Sequence, residues 1–93
     1  MTKQPCPSVD EVLHERGQRY GRFDDFARIS QELLDAMRST PGWQRLAPDQ
    51  REALEMAQHK VARVLNGDPD YADNWVDLAG YATLVARRLQ GVA

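Results

Sequence analysis

Two short runs of polar residues have the types and spacing that binding chemistry needs. Lys60 and Arg63 stand three apart, and Asp73, Asn74 and Asp77 follow after a Pro- and Gly-containing break. Residues three or four apart share a helix face, so each run presents one polar row if its segment is helical. Cations closing one helix and an acid-amide cluster opening the next would then face a common hollow. There Lys60 and Arg63 suit phosphate oxygens, while Asp73, Asn74 and Asp77 suit a ribose or a base edge. Arg19, Tyr20, Gly21 and Arg22 form a second basic run with an aromatic inside it. Tyr20 and Tyr81 are the side chains placed to stack on a ring. An interhelical ion-pair network with no ligand is the plain alternative for Lys60, Arg63 and the acids.

A metal-dependent reading uses other residues. Glu52 and Glu55 form E-x-x-E, and after eighteen intervening residues Asn74 and Asp77 form N-x-x-D. Two such pairs on packed antiparallel helices could hold Mg²⁺ against a di- or triphosphate through Glu52, Glu55 and Asp77. An amide stands where the second pair would carry its first carboxylate. Nucleophilic catalysis has little to work with, since no serine has a His and an acid at suggestive spacing. No catalytic residue is therefore assigned. Gly-rich phosphate loops, zinc spacings and recognition-helix patterns do not occur.

The elements that must position these residues are helices. Ser8 to Glu11 has the S-x-x-E form of a capping box, opening a short first helix that Gly17 is suited to end. Phe26, Ile29, Leu33 and Met37 recur at helical spacing, predicting a second helix from Asp24 to Arg38. Ser39 to Gly42 stops it, and Trp43 and Leu46 should cover one end of the core. Pro48 opens a third helix, whose stripe runs through Ala53, Leu54, Ala57, Val61, Val64 and Leu65 to the stop at Asn66-Gly67. Asp68 to Asp70 leads into a fourth helix capped by Asp70 or Asp73. On it Trp75, Leu78, Ala82, Val85 and Leu89 form the apolar stripe, with Asn74, Asp77, Tyr81 and Arg88 beside it. Short connections make the third helix antiparallel to its neighbours. The expectation is an all-α bundle of one short and three longer helices, about 70 % helical, spanning 8–93 behind a disordered lead-in of residues 1–7.

Composition sets bounds on partners. The chain has 93 residues, 42 % hydrophobic and 28 % charged, with a formal net charge of -2. That balance speaks against bulk nucleic acid or an anionic membrane surface. Ten of the twelve basic residues are arginines, whose rigid forks suit small anions. Cys6 is the single cysteine, so no intrachain disulfide forms, in keeping with a reducing cytoplasm. No apolar run approaches the roughly 20 residues of a membrane span. A chain this small buries about 60–65 % of its unfolded surface, which makes a homo-oligomer, with the fourth helix near the interface, the expected supplement.

With these residues in view, the chain resembles a group of small phage and prophage proteins of unknown function, from about Glu11 to Leu89. The resemblance is carried by Arg19-Tyr20-Gly21, by Lys60-x-x-Arg63, and above all by the segment Asp73-Asn74-Trp75-Val76-Asp77-Leu78-Ala79-Gly80-Tyr81-Ala82. Such proteins are similar in layout to the MazG-like nucleotide pyrophosphohydrolases. The resemblance implies a nucleotide-derived ligand, with Mg²⁺ as cofactor if it is hydrolysed and no cofactor if it is only held. The missing carboxylate at Asn74 favours holding. Small phage sponges that sequester cyclic nucleotide or ADP-ribose-type immune signals in the host cytoplasm are similar in size and polar character. On that reading the ligand-binding residues are Arg19, Tyr20, Lys60, Arg63, Asp73, Asn74, Asp77 and Tyr81.

Overall fold

A computed structural model describes residues 8–92. Expectations for residues 1–7, including Cys6, lie outside the described residues. The chain runs through α1 (Val9–Tyr20), α2 (Phe23–Arg38), a 3-10 helix (Pro41–Arg45), α3 (Pro48–Asn66) and α4 (Ala72–Leu89). Helices take up 82 % of the described residues, and no strand occurs among them. The all-α class and the one-short, three-long pattern are those the periodicity predicts.

Local chemistry accounts for most of the boundaries. Ser8 caps α1 by accepting the Glu11 N–H at 3.1 Å, and Gln50 caps α3 by accepting the Ala47 N–H at 2.8 Å. Two boundaries differ from expectation. α1 runs straight through Gly17 and ends at Gly21, whose φ of 77° is the left-handed turn that α1 needs. A helix interior tolerates one glycine at a cost of about 1 kcal/mol, so Gly17 alone does not stop it. α4 begins after Tyr71 with no side-chain cap. Neither Asp70 nor Asp73 caps it: Asp70 donates its backbone N–H to the Asp68 carboxylate, and Asp73 accepts a hydrogen bond from the Tyr71 hydroxyl.

α3 is the central helix, packed against α2 on one side and α4 on the other. Long-range pairs fix both directions as antiparallel. Arg38 near the end of α2 meets Glu55 at 2.7 Å, and Arg88 at the end of α4 meets Asp49 at the start of α3. The Arg88 guanidinium, hydrogen-bonded to Asp49, holds that carboxyl below its usual range. Ser30 and Gln58 exchange two buried hydrogen bonds, of 3.3 and 3.4 Å, between α2 and α3.

α1 is tied to the far end of α3 by backbone contact. Asn66 donates its side-chain amide to the carbonyls of Tyr20 and Arg22, each at 2.9 Å. The Asp68 N–H reaches the Arg19 carbonyl at 2.7 Å. The approach is so close that a Cβ on Gly21 would lie 2.0 Å from the Asn66 carbonyl oxygen, and one on Gly67 would lie 2.1 Å from that of Arg19. Glycine is required at both positions because nothing larger fits between the chains.

The apolar stripes are covered only in part. Trp43 and Ala62 are the buried hydrophobic residues among those described, whereas Leu54, Val61, Leu65, Trp75 and Leu89 remain exposed. Trp75, expected in the core, instead donates its indole N–H to the Pro69 carbonyl at 2.8 Å and stays 54 % exposed. The reason is geometric. α4 has α3 as its one substantial neighbour, so one side of its apolar surface is covered and the rest is not.

Candidate functional site

The predicted polar cluster divides into three parts. The first is closed. Lys60 reaches Asp77 with its ammonium 3.0 Å from the carboxylate, and Lys60 as a residue is 8 % exposed. Asn74 is sealed in the interior at 1 % exposure, and its Nδ2 has no hydrogen-bond partner. Lys60 and Asn74 are therefore closed off from solvent, while Asp77 keeps an exposed outer edge. Ammonium and carboxylate satisfy each other at the α3–α4 seam, leaving neither free for phosphate or ribose.

The second part is a stack. Arg63 turns away from Asp73 and lays its guanidinium 4.3 Å from the centre of the Tyr20 ring. Tyr20 meets Tyr71 edge-on at 6.1 Å, and Arg19 lies 4.7 Å from the centre of the Tyr71 ring. Cation and ring faces attract because the ring face carries negative quadrupole charge. Arg19 is further held by Glu15 at 2.8 Å and by the Tyr71 hydroxyl at 2.9 Å. That hydroxyl donates in turn to Asp73 at 2.9 Å, and this hydrogen bond, followed by burial, pushes the Tyr71 phenol above its ordinary value. Asp73 thus helps to hold the stack. Tyr71 carried no functional role in the sequence; its place in the stack depends on a partner fifty-two residues away.

The third part is Tyr81, half-buried on the outer side of α4, where it lines a shallow surface hollow with Asp77, Gly80 and Leu84, apart from the Tyr20–Arg63 stack. The alternative metal residues also fail to converge. Glu55 is engaged by Arg38, Asp77 by Lys60, and Glu52 is exposed. Among the described residues no group of three or more His, Cys, Asp or Glu is placed to hold a metal ion.

What the stack does build is one wall of a hollow of about 540 Å³ between α1, the Gly21 turn, α2 and α3. Its volume is within the range usual for small-molecule sites. Arg16, Arg22 and Arg63 bring positive charge to it, and Tyr20, Phe23 and Phe26 bring aromatic surface. No carboxylate lines it. Arg16 and Arg63 have no ion-pair partner among the described residues, and Arg22 has a loose one, Asp24 at 3.9 Å. His59 also lines the hollow, edge-on to Phe26 at 4.9 Å, with a buried Nδ1 that has no partner. Burial first, then the charges of Arg63 and Lys60, hold its imidazole below the ordinary histidine value.

Sequence reasoning found Tyr20, Arg22 and Arg63 but not Arg16, Phe23, Phe26 or His59. Phe26 and His59 read as packing residues because each lies on an apolar helical stripe or beside one. The one available signal was the excess of arginine near Gly17 and Gly21.

Fold and hollow together define a small all-α protein with a cationic, aromatic-walled cleft at a helix corner. The chain belongs to the family described as Domain of unknown function (DUF6378), whose model matches residues 8–89. No curated protein and no solved structure matches it.

Proposed function

We propose that this protein binds a nucleotide-derived small molecule in the hollow between α1, the Gly21 turn and α3, and holds it without consuming it. The observation that carries the reading is charge left unspent beside aromatic surface. Arg16 and Arg63 lack carboxylate partners among the described residues, and they face a hollow that Tyr20, Phe23 and Phe26 also line. Guanidinium forks match phosphate oxygens, and rings offer stacking surface to a base. The role is that of a sponge for a cyclic nucleotide or ADP-ribose-type signal in a host cytoplasm, as the likeness to small phage proteins implies. The protein acts as a homo-oligomer, since few of its apolar side chains are covered by its own fold.

Calorimetry in EDTA against AMP, ADP, ATP, cyclic nucleotides and ADP-ribose tests this. Binding by one of them is expected, with the ligand recovered intact after denaturation. Losing one charge-assisted contact is worth about 1.5–3 kcal/mol, so Arg63→Ala should weaken binding roughly tenfold or more. Turnover in Mg²⁺ would replace the sponge with a pyrophosphohydrolase. Silence across the panel, with Mg²⁺ and without, would leave an adaptor with no ligand.

A further inference from the structure

One face of the α2–α3–α4 layer is an apolar trough. Two hollows make it up, of about 710 and 380 Å³, and they meet at Leu46, Leu54 and Ala57. Leu33 and Met37 of α2 border one end, and Leu78, Ala82 and Val85 of α4 border the other. Arg45 is the one charged residue lining either part. Leu54 and Val61, at the centre, are 44 % and 37 % exposed.

We infer that this trough seats a second copy of the chain, which lays its own α2–α3–α4 face against it about a twofold axis. The inference gives a surface to the self-association proposed above and rests on it. Area is the first argument. The chain exposes 7119 Å², against about 5,500 Å² for a compact monomer of its mass. Crediting residues outside 8–92 with the full area of unfolded chain, about 1,200 Å², still leaves the described body about 700 Å² above a monomer of its own size. A standard protein interface takes about 800 Å² from each partner.

Charge is the second argument. A twofold axis sets each face against itself, so a face bearing many like charges would repel its copy. This one carries a single arginine. Two buried hydrophobic residues among the described ones are a small core, and covering the trough would enlarge it. A second copy is the partner present wherever the chain itself is made.

The arrangement leaves the cationic hollow open. At 100° per residue, His59 and Arg63 leave α3 on the side opposite Leu54, Ala57 and Val61. Dimerisation and ligand binding therefore use different faces and fail separately.

Sedimentation velocity at micromolar concentration should give twice the chain mass of 10.6 kDa. Leu54→Glu should shift the protein to monomer, while Leu84→Glu, on the outer side of α4, should leave the dimer in place. Hydroxyl-radical footprinting of the unaltered protein gives a reading that no variant's folding can confuse. Leu54 and Met37 should be oxidised several-fold more slowly at high than at low protein concentration, and Leu84 equally at both. A fully helical wild-type monomer would overturn both the self-association and this face. A dimer whose Leu54 stays as reactive as Leu84, or which survives Leu54→Glu, would overturn the face and leave self-association standing.

Discussion

The guanidinium of Arg63 lies over the ring of Tyr20, 4.3 Å from its centre. The contact joins the end of α3 to the end of α1 and gives the hollow a wall that is cationic and aromatic at once. A pair of this kind is worth about 0.5–1 kcal/mol at an exposed site and about 2 when desolvated. Arg63→Lys keeps the charge but loses the planar stacking surface, so it should lower stability by about 1 kcal/mol or less, measured by urea unfolding. Ligand affinity should fall more than stability does, because lysine is a point charge where a planar fork had been.

Asn66 holds the same corner from the other side. Asn66→Ala removes the donors to the carbonyls of Tyr20 and Arg22. Leaving the part-buried Tyr20 carbonyl unpaired costs about 1–3 kcal/mol, whereas the exposed Arg22 carbonyl can turn to water. The urea midpoint should drop accordingly, and Arg19 to Arg22 should exchange amide hydrogen faster than the rest of α1. Unchanged exchange there would show that the clamp is not needed.

The glycines separate cleanly. Gly17→Ala meets nothing within 4 Å in mid-helix and should stabilise by about 0.4–1 kcal/mol. Gly21→Ala places a Cβ against the Asn66 carbonyl at a φ of 77°, and should destabilise by more than about 1 kcal/mol. Thermal melts of the two variants should move in opposite directions.

Lys60 and Asp77 form a pair with one partner nearly buried, the Lys60 side chain being 11 % exposed and that of Asp77 45 %. Asp77→Ala strands the ammonium and should cost about 1–3 kcal/mol. Adding Lys60→Met to it should restore much of that loss, because an apolar side chain of similar length needs no partner. A double variant no more stable than Asp77→Ala would place the cost elsewhere.

His59 sets a pH dependence. Its folded pKa lies below the unfolded value near 6.5, so the unfolded chain binds the extra proton more readily. Stability therefore rises with pH up to about 6.5, and falls as pH drops below that value. Melting temperatures across this range should show the slope, and His59→Gln should flatten it. An anion bound beside His59 would favour the imidazolium, so nucleotide affinity should strengthen from pH 7.5 to 6. The other charged groups at the hollow are Arg16, Arg22 and Arg63, with Lys60 nearby on α3.

The sequence by itself determined the helices, their order and their antiparallel sense. Helical periodicity, Pro48, the Asn66-Gly67 stop and short connections are local signals, and local hydrogen bonding obeys them. It also marked Tyr20 and Arg22 on a basic run, and Arg63 beside Lys60 at the end of the third helix, as candidate binding residues. Tertiary structure decided where each polar side chain went. Lysine and arginine are long enough to reach several partners, and spacing names the face they leave from without naming what they meet. Thus Lys60 closed on Asp77, Arg63 crossed to Tyr20, and Asp73 took the Tyr71 hydroxyl. The hollow that holds the unpaired arginines lies at the α1–α3 corner and not at the α3–α4 seam, because chain segments forty-six residues apart, at Tyr20 and Asn66, pack too closely for anything but glycine between them.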